Sequence, residues 1–219
     1  DRLVADRRDF HHYAETGWLE FRTASRIARR LAELGFDVAV GQDVLDAGAR
    51  MGLPEPAILE AAWRHALEQG GDPEYLGAMQ GGFTGVVGTL VCGCGPTVAV
   101  RHDIDALDIE ESSAPAHRPM REGFRSINPG AAHACGHDGH AAIGLGLAEV
   151  LVSLRDCLRG TVKLIFQPAE EGVRGAKAMV AAGVVEGVDA LIGLHLYSGW
   201  PTGLVAPGKG GFLATSKFD

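Results

Sequence analysis

The sequence predicts an α/β fold, with a mainly parallel mixed sheet flanked by helices. Two observations set that class. Beyond Gly81, short apolar runs alternate with helix-patterned segments. Two of those runs, residues 161–166 and 189–196, are nearly continuous in apolar character, as strands buried on both faces are. A third observation bounds the class. Of 219 residues, 46% are hydrophobic and 22% charged, so the chain can bury a core. Glycine, at 31 residues, is about twice its usual share of ~7% and implies many tight turns.

Taken in order, residues 3–36 read as helical, with Ile27, Leu31 and Leu34 at helix spacing and Gly35 as a stop. Residues 12–18 interrupt that stretch as a loop. Residues 39–52, rich in Gly and Asp, read as a connector. A helix is expected over 56–69, broken by Gly70-Gly71-Asp72-Pro73. Residues 83–91 and 97–101 are β-branched apolar runs. The link Cys92-Gly93-Cys94-Gly95-Pro96 between them fits a hairpin. A proline-bearing loop covers 110–130. A helix over 139–154, a strand over 161–166, a helix over 175–182 and a strand over 189–196 complete the pattern.

Composition also excludes partners. The formal charge of −8 gives no counterion-release advantage on nucleic acid. No apolar run approaches the ~20 residues of a membrane-spanning helix. The first residue is Asp1 rather than Met, which fits a fragment or a processed start, and residues 1–9 carry no signal-peptide pattern. Four cysteines in a chain this long do not make a disulfide scaffold, so a cytoplasmic, reducing location is expected.

The polar clusters fall at strand ends or helix starts, where sites form in open α/β sheets. His133, Cys135, His137 and His140 lie within eight residues, flanked by glycines. Thiolate, imidazole and carboxylate are the usual donors to borderline divalent metals, so this run is read as a metal site. Glu170 and Glu171 directly follow an apolar strand. Alone they fit an ordinary helix start. Beside the Cys/His run they fit one metal ligand and one general base. His195, at the end of an apolar strand, joins as a candidate ligand. Asp103 and Asp105, two apart, fit ligands, partners that orient a ligating His, or a turn. His102 should face away from them. Cys92 and Cys94 read as loop thiols.

The ordered series Arg101-His102-Asp103-Ile104-Asp105-Ala106-Leu107, His133-Ala134-Cys135-Gly136-His137-Asp138-Gly139-His140, Gln167-Pro168-Ala169-Glu170-Glu171-Gly172 and Gly193-Leu194-His195 resembles the dinuclear-metal amidohydrolases of the aminoacylase/carboxypeptidase superfamily. That group includes hippurate hydrolase and the plant auxin-conjugate hydrolases. The stretch 51–85, and Asp108 where most members have Pro, resemble the branch containing the p-aminobenzoyl-glutamate hydrolases. The resemblance implies a zinc-peptidase-like catalytic domain that is incomplete here. Residues 1–211 would be its N-terminal part, with an insert at about 51–80, and 212–219 the entrance to an absent lid and dimerisation domain. It implies two divalent ions, Mn2+ or Zn2+, held by Cys135, His137, Glu171 and His195, with Glu170 as general base and Asp103 and Asp105 in support. The implied reaction is water attack on the amide of an N-acyl or N-aroyl amino acid, most plausibly p-aminobenzoyl-glutamate. The implied assembly is a homodimer or a pair of unlike subunits joined through the lid. Two alternatives stay open: a broader aminoacylase or hippurate-type hydrolase, and a truncated, catalytically silent metal-binding subunit.

Overall fold

A computed structural model describes residues 2–199 and 201–208. Two helices lead, α1 (Arg2–His12) and α2 (Phe21–Glu33), joined by a loop where one was expected. The α2 N-terminus is capped from within that loop: the Glu15 carboxylate accepts the Arg22 and Thr23 backbone N–H groups at 2.9 and 2.8 Å. Strand β1 (Asp37–Val40) follows and runs into the start of the expected 39–52 connector. Its four residues are too few to show an alternation. Helix α3 (Pro56–Glu68) stands where expected. The Gly70–Pro73 break does end it, but Pro73 also starts α4 (Pro73–Met79). A proline costs nothing at the first helical position, and the Asp72 side chain accepts the Glu74 N–H.

Strands β2 (Val86–Val91) and β3 (Thr97–Asp103) precede a short helix α5 (Arg118–Arg121), the long α6 (His137–Ser153), β4 (Thr161–Gln167), α7 (Gly175–Ala181) and β5 (Ala190–Gly193). The sheet order is β1-β2-β4-β3-β5. β1–β2 and β2–β4 are antiparallel; β4–β3 and β3–β5 are parallel. The mixed α/β class is as expected, but the hairpin is not. β4 inserts between β2 and β3, because its Leu164, Ile165 and Phe166 need cover on both sides. The Cys92–Pro96 link spans two strand spacings, ~10 Å. It is stitched to the start of β4 instead, with Cys92 N–H donating to the Gly160 carbonyl and Thr161 N–H to that of Pro96.

The core lies between the sheet and α2 and α6, around Phe21, Ile27, Leu31, Leu145 and Phe166. Contact is close enough to dictate glycine: a methyl on Gly144 of α6 would come within 2.6 Å of the Phe166 ring. α7 covers the opposite face, where Lys163 Nζ donates to the Val184 carbonyl. β5 departs from expectation in burial. All four of its residues are exposed, and among the described residues it pairs with β3 alone. No described helix is long and apolar enough to cross a membrane.

Candidate metal centre

Every predicted site residue lies at one edge of the sheet, the carboxyl ends of the parallel strands β3, β4 and β5. Asp103 ends β3, with Asp105 two residues beyond. Glu170 and Glu171 follow β4, and His195 follows β5. α6 supplies the rest. Gly136, at φ +95°, turns the chain through the left-handed region, so that Cys135 precedes the bend and His137 opens the helix.

His137 is the centre of the arrangement. Its Nδ1 lies 2.8 Å from the Asp105 carbonyl and 3.3 Å from Asp105 Oδ1, which assigns the ring proton to Nδ1. In the neutral, ligating form of the ring Nε2 is then a free lone pair, 3.8 Å from Glu170 Oε2 and 3.9 Å from Glu171 Oε1. Asp105 also fixes Glu171, whose backbone N–H donates to Asp105 Oδ2 at 2.9 Å. His195 donates from Nδ1 to the Leu196 carbonyl at 2.6 Å and places Nε2 3.4 Å from Cys135 Sγ. Donor atoms of Cys135, His137 and His195 lie within 4.8 Å of one another, as do those of His137, Glu170 and Glu171. Ligands ~2.1 Å from a tetrahedral cation stand roughly 3.4 Å apart, so both groups are near ligating geometry and they share His137.

A third group, Asp103, His137 and His140, is equally compact but chemically different. The Leu196 backbone N–H donates to His140 Nε2 at 3.0 Å, so the neutral ring carries its proton on Nδ1, facing Asp103 Oδ2 at 3.8 Å. His140 therefore offers no free lone pair. It fastens the chain beside His195. The sequence put His140 in the cluster without assigning it this part; its spacing of three from His137 on one helix was the available signal.

Buried acceptor atoms at the site lack hydrogen-bond partners: His137 Nε2 in its neutral form, Asp105 Oδ1, Glu171 Oε1 and both Asp103 carboxyl oxygens, although Arg101 forms an ion pair with Asp103. Such groups are costly to bury unless something meets them, and acceptors concentrated on one point suit a cation. The protonation pattern agrees. Burial, with the Glu171 carboxylate beside it, pushes the Cys135 thiol up to about 12. Burial raises Asp103 to about 7 against the pull of Arg101, and raises Glu171. Burial lowers His137, but Asp105 and the other carboxylates outweigh it and bring the ring to about 9. Acids pushed up and an imidazole held charged are what excess acceptors produce without a metal; a divalent cation favours their ligating forms instead.

Of the residues in those runs, His102 and His133 lie away from the point of convergence. His102 faces away as expected, stacked on Phe166 at 5.2 Å and lowered by burial to about 4. His133 is buried against His11, ring centres 6.3 Å apart. Arg174 is a strut: it donates to the Glu171 carbonyl and, across to the 51–80 segment, to the Gly52 carbonyl, both at 3.1 Å. Cys92 and Cys157 lie at the far end of the sheet. Arg101 went unassigned in sequence. It reaches Gln167 at 2.8 Å and stands 4.0 Å from Glu170 Oε1.

Fold and donor set together define an α/β domain with residues that could hold a divalent metal gathered at the carboxyl edge of its sheet. Residues 99–211 match peptidase family M20/M25/M40, and the chain belongs to that family. It is 58% identical over 214 residues to an indole-3-acetyl-aspartic acid hydrolase from Enterobacter agglomerans. It is 53% identical over 214 residues to one of the subunits of p-aminobenzoyl-glutamate hydrolase from Escherichia coli. Each match covers 97% of this chain and 49% of the relative. The chain thus spans about half the length of the curated relatives it matches. Among solved structures, an aminobenzoyl-glutamate utilization protein from Klebsiella pneumoniae aligns with a TM-score of 0.78 at 50% identity, covering 91% of this chain and 44% of that one. The YXEP protein of Bacillus subtilis, described as a dinuclear metal binding peptidase of the M20 family, aligns at 0.65 and 34%, with the same coverage.

Proposed function

We propose that the chain is the N-terminal part of the catalytic domain of a metal-dependent amidohydrolase that splits N-acyl or N-aroyl amino acids. One observation carries this reading: Cys135, His137 and His195 converge with Glu170 and Glu171 around the free Nε2 of His137. Cys135, His137, Glu171 and His195 would hold two divalent ions. The thiolate and imidazoles favour zinc, while the carboxylates also suit manganese. The bound ions would lower the pKa of water and polarise the amide carbonyl. Glu170 would take the proton from the attacking water as the C–O bond forms. It would then return that proton to the nitrogen as the C–N bond breaks, releasing a carboxylic acid and an amino acid. Asp105 orients His137 and Glu171; Asp103 balances Arg101.

The names of the two curated relatives describe one substrate chemistry, an aromatic acid amide-linked to an acidic amino acid. That supports p-aminobenzoyl-glutamate or a close analogue. The broader aminoacylase or hippurate-type reading would show as comparable turnover of benzoyl-glycine. We assign residues 1–211 to the catalytic domain, with 51–80 as an insert that forms α3 and α4 against α2. The proposed lid entrance at 212–219 lies outside the described residues, and the lid would supply contacts to a second copy or to an unlike subunit. The Escherichia coli relative is named as one subunit of its hydrolase, which supports pairing. Four free cysteines suit a cytoplasmic location.

The test uses the protein as its gene encodes it, loaded with Zn2+ or Mn2+. p-Aminobenzoyl-glutamate, indole-3-acetyl-aspartate and benzoyl-glycine are assayed side by side, with metal content measured by mass spectrometry. Two ions per chain and preference for the acidic conjugates are expected. Glu170→Gln should lower kcat at least 100-fold. Full activity in that variant would remove Glu170 as the base, and a protein that binds metal but hydrolyses none of the three substrates would favour the silent form.

A further inference from the structure

The loop that presents Glu170 and Glu171 begins with an unfavourable backbone. Ala169, fully buried, sits at φ +48°, in the left-handed region that costs a non-glycine residue ~1–2 kcal/mol. Something must over-determine that conformation, and the partner is far off in sequence. Glu20, with no exposed surface, accepts the Ala169 backbone N–H at Oε1 (2.8 Å) and the Thr84 hydroxyl at Oε2 (2.6 Å). Glu20 occupies the N-cap position of α2 but does not cap it; Glu15 performs that task, so the Glu20 side chain is free for the loop. Steric contact reinforces the bond. Gly17 packs so tightly that a methyl there would lie 3.2 Å from Ala169 Cα. On the other side, the Ala169 carbonyl accepts the Arg174 and Gly175 N–H groups at 3.1 and 2.9 Å, closing the turn that contains both glutamates.

We infer that Glu20 is a positioning residue for the catalytic carboxylates: it clamps Ala169 in its left-handed conformation and thereby sets Glu170 and Glu171 against His137. The inference rests on the proposed metal centre for its functional consequence, but the clamp itself is a property of the chain alone. Burial raises the Glu20 carboxyl to about 8, with the Asp105 charge adding to the effect, so the clamp works as a neutral acid at pH 7. Glutamine is then its isostere: the amide oxygen accepts the Ala169 N–H, and the Thr84 hydroxyl, the donor to Glu20, rotates to accept from the amide nitrogen.

Two readouts on this chain separate the outcomes. Amide hydrogen exchange by NMR follows the Ala169 N–H directly, and calorimetry follows Zn2+ affinity. Glu20→Ala should speed Ala169 exchange at least 100-fold and weaken Zn2+ binding at least tenfold, whereas Glu20→Gln should stay within about threefold on both. Adding Ala169→Gly to Glu20→Ala should recover Zn2+ affinity several-fold, because glycine adopts the left-handed region without the clamp. A merely structural Glu20 would give no such rescue. Unchanged exchange and affinity in Glu20→Ala, or equal damage from Glu20→Gln, would overturn the inference. If Glu20→Ala does not fold, Gly17→Ala gives the same reading: its methyl presses on Ala169 and should raise exchange there at least tenfold, and no change would overturn the clamp. Should the unaltered chain bind no Zn2+, the metal centre fails while the exchange arm still decides the clamp.

Discussion

Replacing Asp105 with Asn tests how much of the metal centre is organised by one side chain. Asp105 is completely buried and serves two of the proposed ligands at once: Oδ2 accepts the Glu171 N–H at 2.9 Å, and Oδ1 lies 3.3 Å from His137 Nδ1. An amide of the same shape has only one oxygen. Whichever contact keeps it, the other ligand then faces an NH2 group, donor against donor. Losing the Glu171 hydrogen bond, or turning a donor toward the His137 Nδ1–H, costs ~1.5–3 kcal/mol. At ~1.4 kcal/mol per factor of ten, that is roughly a 10–150-fold loss of affinity if all of it falls on the metal-bound state. The His137 Nδ1–H bond to the Asp105 carbonyl, at 2.8 Å, survives the substitution and argues for the lower half of that range. The assay is competition calorimetry with Zn2+ on wild type and Asp105→Asn, with circular dichroism to verify that both are folded. A folded variant with unchanged affinity would refute the claim that Asp105 orients His137 and Glu171.

Gly175→Ala should be among the most damaging substitutions at the site. Its methyl would lie 1.7 Å from the Pro168 carbonyl oxygen, so the turn holding Glu170 and Glu171 must move; a loss of ~1–3 kcal/mol in urea unfolding is expected, and wild-type stability would contradict the packing described. Stability should also depend on pH through Glu20. The unfolded carboxyl releases its proton near 4.5, whereas the folded one holds it to about 8. Across that window the native state binds the extra proton, so stability falls as pH rises, by up to ~1.4 kcal/mol per unit and on the order of a few kcal/mol in all, then levels off. Thermal melts from pH 4.5 to 9 should show a steeper decline for wild type than for Glu20→Gln, and parallel curves would indicate that Glu20 is ionised in the fold.

Much of the site was legible because metal chemistry restricts residue type. Cys135 and His137 are two apart, Glu170 and Glu171 abut a strand, and His195 ends one. Such donors are rarely placed together at strand ends without a partner of opposite charge. Local pattern was equally informative for α6, β4 and α7, which are long enough to show their periods or apolar runs. Glu20 gave no comparable signal. A single acid between two helices looks like any solvated loop residue, and its partner Ala169 is 149 positions away.

The sequence by itself determined the alternation of strands and helices, and it supplied the proposed donor set. Both follow from short-range physics: side-chain period, helix starts and stops, and the affinity of thiolate, imidazole and carboxylate for divalent cations. Tertiary structure decided the order of the strands, putting β4 between β2 and β3 where the turn between them suggested a hairpin. It also decided which histidines matter. His137 and His140 are three residues apart, yet one has a free nitrogen and the other spends its lone pair on the Leu196 N–H. That distinction depends on where a distant backbone group arrives, and only the packed fold brings the Leu196 N–H to His140 and the Ala169 N–H to Glu20.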